Sequence, residues 1–467
     1  MQGRAYQEAH FKLCALRDTA RALWPRAAKL PSVRLLWQIV ATTTDEMLLQ
    51  LETRDKTPEA EALATAYADH ADFFHLVLRF VEASEATRVP QALVGPLERL
   101  VQVRKPGARL VVWYDWKPSN YSFHTGVAAN LSVAVEYVFG DVPGTKGPDV
   151  PPLLGVLSFP AAERDNVLMH AALAHEVGHA LMEAEREANR PVPHIAVDES
   201  RCRELAPMTF APRALPADLS QAIADALKRR ATEVLKYWQE ELLADAWAVH
   251  LLGPAALLAL QALGAQRPSE DHPPTVLRAD LMRGCLRRGG FEQAASECAW
   301  LGNAFAAAGL EAAGTKVGPA DQAEFQLAWE ALRVGLNQIE EFVFPRDGQA
   351  NWYTAEQWGL RCGPSRLGRL ITRLVHYVPP DRVGDQPGDY ADLATILNAG
   401  WAVYLDDHHW GEFCAGLGDD ALAAQHQARR KLHRLVLKAI ESFYVASMWA
   451  EVHIGTGQLA GPSAHGR

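Results

Sequence analysis

The stretch "LMHAALAHEVGHALMEAE", residues 168–185, sets His175 and His179 four apart with Glu176 beside the first. On an α-helix, residues i and i+4 project from one face about one turn apart, so both imidazoles can aim a ring nitrogen at one ion. Glu176 lies beside that face, placed to touch a water on the metal rather than the metal itself. This is why the H-E-x-x-H pattern carries zinc hydrolase chemistry. An amphipathic helix that happens to carry two histidines reads the same way, so the rest of the chain must decide.

A catalytic zinc needs a third protein ligand and an open position. The metzincin solution, a glycine and then a third histidine soon afterwards, is excluded because the matching positions are Met182 and Glu185. The alternative is a glutamate on a separate helix. "EELLADAWA", residues 240–248, offers Glu241 as the ligand, with Glu240 as the alternative one position off. Asp245, one turn beyond Glu241, would accept a hydrogen bond from a liganding histidine, His175 for preference, and fix its tautomer. An acidic helix turn is common, but these carboxylates sit among Leu242, Leu243, Ala244, Ala246 and Trp247. Buried carboxylates are costly unless paired or bound to metal. A third element, "SEDHPPTVLRADLM", places His272 and Arg278 around a proline pair. A His-Pro-Pro turn entering a helix could present an imidazole and a guanidinium to the same cleft.

Other polar groups read more plainly. Asp406, Asp407, His408 and His409 are consecutive, so they point in different directions and suggest a polar helix end. His170 falls off the face of His175, and His250 lies half a turn from that of Glu241. Tyr121 and His124 read as a loop pair. The 13 tryptophans need no ligand to explain them beyond helix packing.

The elements that must position the site follow from periodicity. Residues 1–105 recur apolar at three and four, which predicts several helices. "ARLVVWYDW" and the run around 153–159 read as strands, so a strand, a short loop and the motif helix follow one another. Residues 186–217 hold several prolines without clear period, which suggests a lid over a cleft or a mobile connection. A long helix is expected over about 219–252. From about Pro274 the pattern is helical again, broken near "VPPDRVGDQPGDY". The domain reading is a helical region over 1–105, a catalytic domain over 106–288, a helical region over 289–452 and a flexible tail over 453–467.

With 467 residues the chain can bury a large core without staples, so a metal here would serve chemistry rather than folding. A net charge of −10 disfavours nucleic acid and anionic membranes. Six scattered cysteines without a C-x-x-C pair fit a reducing compartment. Neither a signal peptide nor a membrane span is expected, which places the protein in the cytoplasm.

The order "HEVGH" at 175–179, "ELLADAWA" at 241–248 and "HPPTVLR" at 272–278 resembles the gluzincin metallopeptidases that include HtpX, the mitochondrial Oma protease and the CAAX prenyl proteases. The likeness covers about residues 150–285. A weaker similarity, in "ELLADAWAVHLLGP", is to the ImmA/IrrE-type peptidases. The first resemblance implies a mainly α fold around a zincin-like core with a small β-sheet. It also implies Zn2+ on His175, His179 and Glu241, with Glu176 as general base. By the same analogy His272 helps stabilise the oxyanion, and Arg278 supports the site or the substrate backbone. In that architecture an extended protein or peptide substrate adds to an edge strand before the motif helix, here "LLGVLSFP". The competing class is a latent or inactive zincin-core scaffold whose helical regions bind a regulatory partner.

Overall fold

The computed structural model describes residues 3–53, 57–84, 91–115, 121–124, 126–140, 145–187, 190–210, 217–263, 269–291, 323–345, 364–386, 388–415, 417 and 421–455. The chain divides into two compact units, Met1–Arg164 and Asp165–Arg467. That boundary falls within the 106–288 stretch read from the sequence as one domain.

The first unit opens with helices α1 (Arg4–Ala27), α2 (Pro31–Thr53) and α3 (Pro58–Ala83), followed by α4 (Gln91–Arg104). The start of α3 is written locally: Thr57 Oγ1 accepts the Ala60 N–H at 3.3 Å, Pro58 enters the first turn, and Glu59 and Glu61 face the positive helix end. Apolar stripes on these helices, among them Leu13, Leu36, Ile39, Met47, Tyr67 and Phe74, close one core with Val111 and Val156 of the sheet.

The sheet has strands β1 (Arg109–Asp115), β2 (Ser122–His124) and β3 (Leu154–Pro160), with α5 (Val127–Phe139) between the last two. Its order is β1-β3-β2, with β1 parallel to β3 and β2 antiparallel to it. Both expected strands therefore form, but "LLGVLSFP" is the central strand and not an edge. Leu110 pairs with Gly155 on one side, and Ser122 pairs with Ser158 on the other. Over Val156–Ser158 the ladder is occupied on both flanks, so no peptide can add there.

The second unit is helical. The motif helix α6 (Leu173–Glu187) is followed by α7 (Glu199–Phe210), the long α8 (Ala217–Leu252), α9 (Pro254–Ala262) and α10 (Thr275–Arg288). Then come α11 (Ala323–Val343), α12 (Pro364–Val375), α13 (Leu393–Leu405), α14 (Asp407–Ala415) and α15 (Ala421–Gly455). The long α8 is the axis: α6, α7, α10, α11 and α13 all pack on it. Buried Asn398 of α13 donates to the terminal Leu252 carbonyl of α8 at 3.0 Å, which satisfies one of the carbonyls a helix end leaves open.

The segment over 186–217, expected as a lid over a cleft or a mobile connection, holds a helix within its described residues. This segment contains α7, capped by Asp198, whose Oδ1 accepts the Ser200 N–H at 2.8 Å. Over 190–201 it is fastened at three points: Arg190 donates to the Phe342 carbonyl, Gln239 Nε2 donates to the Pro193 carbonyl, and Arg201 pairs with Glu330 at 3.0 Å. Ile195 packs so closely on Gly335 that a Cβ there would lie 2.6 Å from it. The fold is thus mainly α with a small sheet, as expected. Among the described residues no helix is long and apolar enough to cross a membrane. The tail expected over 453–467 lies outside the described residues from 456 onward, and α15 itself runs to Gly455.

Candidate metal centre

The helices α6 and α8 run antiparallel, and their side chains meet in rungs. His175 Nδ1 is 2.8 Å from Asp245 Oδ1, and one turn further His179 Nε2 is 3.3 Å from Glu241 Oε1. Four residues forward on one helix match four back on the other, as side-chain rows of antiparallel helices require. What permits this spacing is Gly178. A Cβ at that position would sit 2.6 Å from the Ala244 carbonyl oxygen and 2.8 Å from its Cα. Only glycine lets the two backbones approach so closely, which sets the span the ligands must bridge.

His175, His179 and Glu241 each offer an atom within 4.8 Å of the others, and among the described residues they form the group able to hold a metal ion. His175 Nε2 is 3.2 Å from Glu241 Oε2. Yet that buried oxygen has no aligned hydrogen bond. Groups this close that do not point at one another point instead at a shared place. A tetrahedral ion with bonds of about 2.0–2.1 Å spaces its ligand atoms roughly 3.3 Å apart. Each imidazole comes within 3.2–3.3 Å of a different oxygen of the Glu241 carboxylate, a separation of that size. Two imidazoles and a carboxylate are also a donor set that zinc takes.

Behind the ligands lies a buried support. His175 Nδ1–H donates to Asp245 Oδ1, which leaves Nε2 as the lone-pair atom facing the shared point. Asp245 is held by Arg278, whose Nε donates to Oδ2 at 2.7 Å and Nη2 to Oδ1 at 2.8 Å. Both Asp245 and Arg278 are buried, so their charges are affordable only as this two-bond pair. Arg278 thus acts on the centre through Asp245.

The charge balance favours a cation at the shared point. Burial resists protonation of His175, but Asp245 and Glu241 outweigh it and push the imidazole up to about 10. Burial likewise opposes ionisation of Glu241, yet His175, His179 and Arg278 hold it well below the usual carboxylate range. Glu176 differs. Its burial dominates and raises its carboxyl above the usual range, against the pull of His175 and His179. A carboxyl poised upward in this way suits a group that takes and returns a proton.

His272 stands at the open side. Its turn is built by Ser269, whose Oγ accepts the His272 N–H and whose N–H donates to the His272 carbonyl, both at 3.0 Å. Trp238 Nε1 fastens the turn to α8 through the Ser269 carbonyl at 2.8 Å. This leaves His272 Nε2 3.9 Å from Glu241 Oε2 with the side chain half exposed. Glu240, the alternative ligand, points away and pairs with Arg186 at 2.6 Å.

Sequence reasoning missed two of these parts. Gly178 carried a signal, a glycine inside a helix where alanine forms helix better. The Trp238–Ser269 tie carried none, because it joins residues distant in the chain.

The other polar candidates do not assemble. Asp406 closes α13 and accepts the His409 N–H at 3.0 Å, the polar helix boundary expected for 406–409. His250 lies edge-on to Trp247 and Phe344 in the core, and His170 is buried in the 3-10 turn before α6. His124 packs against Phe80 and Trp113, and burial raises the Tyr121 phenol.

No protein-family model matches the chain, and comparisons with curated proteins and with solved structures likewise return no match.

Proposed function

We propose that the protein is a zinc-dependent metallopeptidase of gluzincin type. One observation carries the reading: two imidazoles and a carboxylate offer ligand atoms within 4.8 Å of one another while a buried carboxyl, Glu176, stands next to them in the chain. His175, His179 and Glu241 would hold the ion. Zinc bound there would acidify water at the site and polarise a substrate carbonyl.

The chain's own residues do the rest. Glu176 takes the proton as water attacks the peptide carbonyl, then returns it to the leaving amine. His272, on the open side, donates to the oxyanion that develops. Asp245 and Arg278 keep His175 in one tautomer and one orientation. The resemblance of the three motifs supports the same roles.

The test begins with metal content. The full-length protein, analysed by elemental mass spectrometry, should carry about one zinc per chain, much reduced in Glu241→Ala. Glu176→Gln should keep the zinc and lose peptide hydrolysis by several orders of magnitude, as removal of a general base on this path requires. Wild-type protein that takes up no zinc even after reconstitution would leave a helical scaffold as the better reading. A fully active Glu176→Gln would remove that residue from the mechanism.

A further inference from the structure

The rungs that bind the metal continue past it. His175 meets Asp245 and His179 meets Glu241. The next rung, four forward on α6 and four back on α8, is Glu183 with Tyr237. Each lies one turn beyond a ligand, on the ligand's own face. This rung is open: Glu183 is exposed and Tyr237 is 48% exposed. Both side chains therefore reach solvent one turn beyond the candidate ligands.

The rung thus presents a carboxylate and an aromatic ring to solvent. Among the described residues Glu183 makes no ion pair, whereas its neighbours Arg186 and Glu240 neutralise each other at 2.6 Å. Beside His272, Asp271 is also exposed and has no cationic partner among the described residues, while Glu270 is engaged by Arg230 at 3.1 Å. A carboxylate and an exposed ring together suit a cationic side chain, held by charge and by the ring face.

We infer that Glu183 and Tyr237 form a specificity subsite for a lysine or arginine of the substrate next to the bond to be cut. The inference rests on the peptidase reading and names the substrate class that site accepts. The cation's ammonium or guanidinium faces the Glu183 carboxylate, and its aliphatic stem lies along the Tyr237 ring. The backbone beside it then reaches the His175, His179 and Glu241 centre one turn away. Both are positioning residues, since neither touches the reacting carbonyl.

The experiment separates the subsite from the chemistry. Zinc-loaded Glu176→Gln, which would hold a peptide without cutting it, is titrated with fluorescent peptide pools. The pools are identical except for lysine or norleucine at one central position. Binding about tenfold tighter for lysine, weaker at high salt and levelled by adding Glu183→Gln with the zinc content intact, is the expected result. Tyr237→Leu should lower the lysine preference about threefold and leave its salt dependence in place. Equal binding of the two pools, or no binding of either, overturns the inference. Charge-selective binding beside a wild-type protein that cuts no peptide would sink the peptidase reading and leave the subsite standing.

Discussion

Two histidines buried in the same helical unit are driven in opposite directions. His175, between Asp245 and Glu241, is pushed up to about 10 although burial opposes it. His433, on α15, is pushed down to about 4 by its burial, with Arg429 and His170 adding to the effect. Neither of its ring nitrogens has a hydrogen-bond partner. Burial is common to both, so burial does not make a site. The difference is the carboxylates: one imidazole sits where positive charge is stabilised, the other where it is excluded. A metal centre belongs to the first kind of place.

The largest expected effect comes from removing the carboxylate that defines the contrast. Asp245→Ala leaves Arg278 buried without its two-bond partner, which should cost about 3–5 kcal/mol in urea unfolding. It also frees the His175 ring to reorient, so zinc affinity in a competition titration should fall tenfold or more. A variant as stable as the wild type, with zinc affinity unchanged, would break the comparison at its root.

Next comes the spacing of the two ligand helices. In Gly178→Ala the new methyl meets the Ala244 backbone at 2.6 Å, and a backbone cannot rotate away as a side chain can. The loss should be about 3 kcal/mol, the upper end of overpacking. Separating α6 from α8 also stretches the rungs, so zinc binding should weaken with stability. Full zinc affinity in this variant would show that the approach at Gly178 does not set the ligand span.

The ligand set was legible in the chain because helical periodicity writes it there. His175 with His179, and Glu241 with Asp245, share faces by spacing alone, and the apolar neighbours of Glu241 announced burial. What periodicity cannot write is pairing between distant segments. β3 was recognisable as a strand, but its central place depends on β1 and β2 binding opposite flanks. The helix α7 hid behind prolines in a weakly apolar stretch. Its Asp198 cap was present in the sequence, but the packing on α8 and α11 that steadies it was not.

His433 sharpens the comparison from its other side. A histidine kept neutral by the fold binds its proton more readily when unfolded, near pH 6.5, than when folded, near about 4. Its contribution is therefore complete above the unfolded pKa and is lost as pH falls through this window, the reverse of a group whose pKa is raised. Between about pH 7.5 and pH 5 that loss is on the order of 2 kcal/mol. His433→Leu should flatten the acid limb of the stability profile by this amount and leave zinc content unchanged. An equally steep limb in the variant would mean that other groups carry it.

The smallest effect belongs to the segment that most resembles a metal site on paper. Asp406, Asp407, His408 and His409 offer four potential ligands in a row, yet Asp406 uses its carboxylate on the His409 N–H at the start of α14. His409 Nδ1 lies 3.1 Å from the same oxygen, but among the described residues no third His, Cys, Asp or Glu joins them in a group able to hold an ion. Asp406→Ala removes a helix cap and should cost about 1 kcal/mol. Zinc stoichiometry should not move. A drop in bound zinc would place a second ion here and erase the distinction between ligands that converge across two helices and polar residues that merely follow one another along the chain.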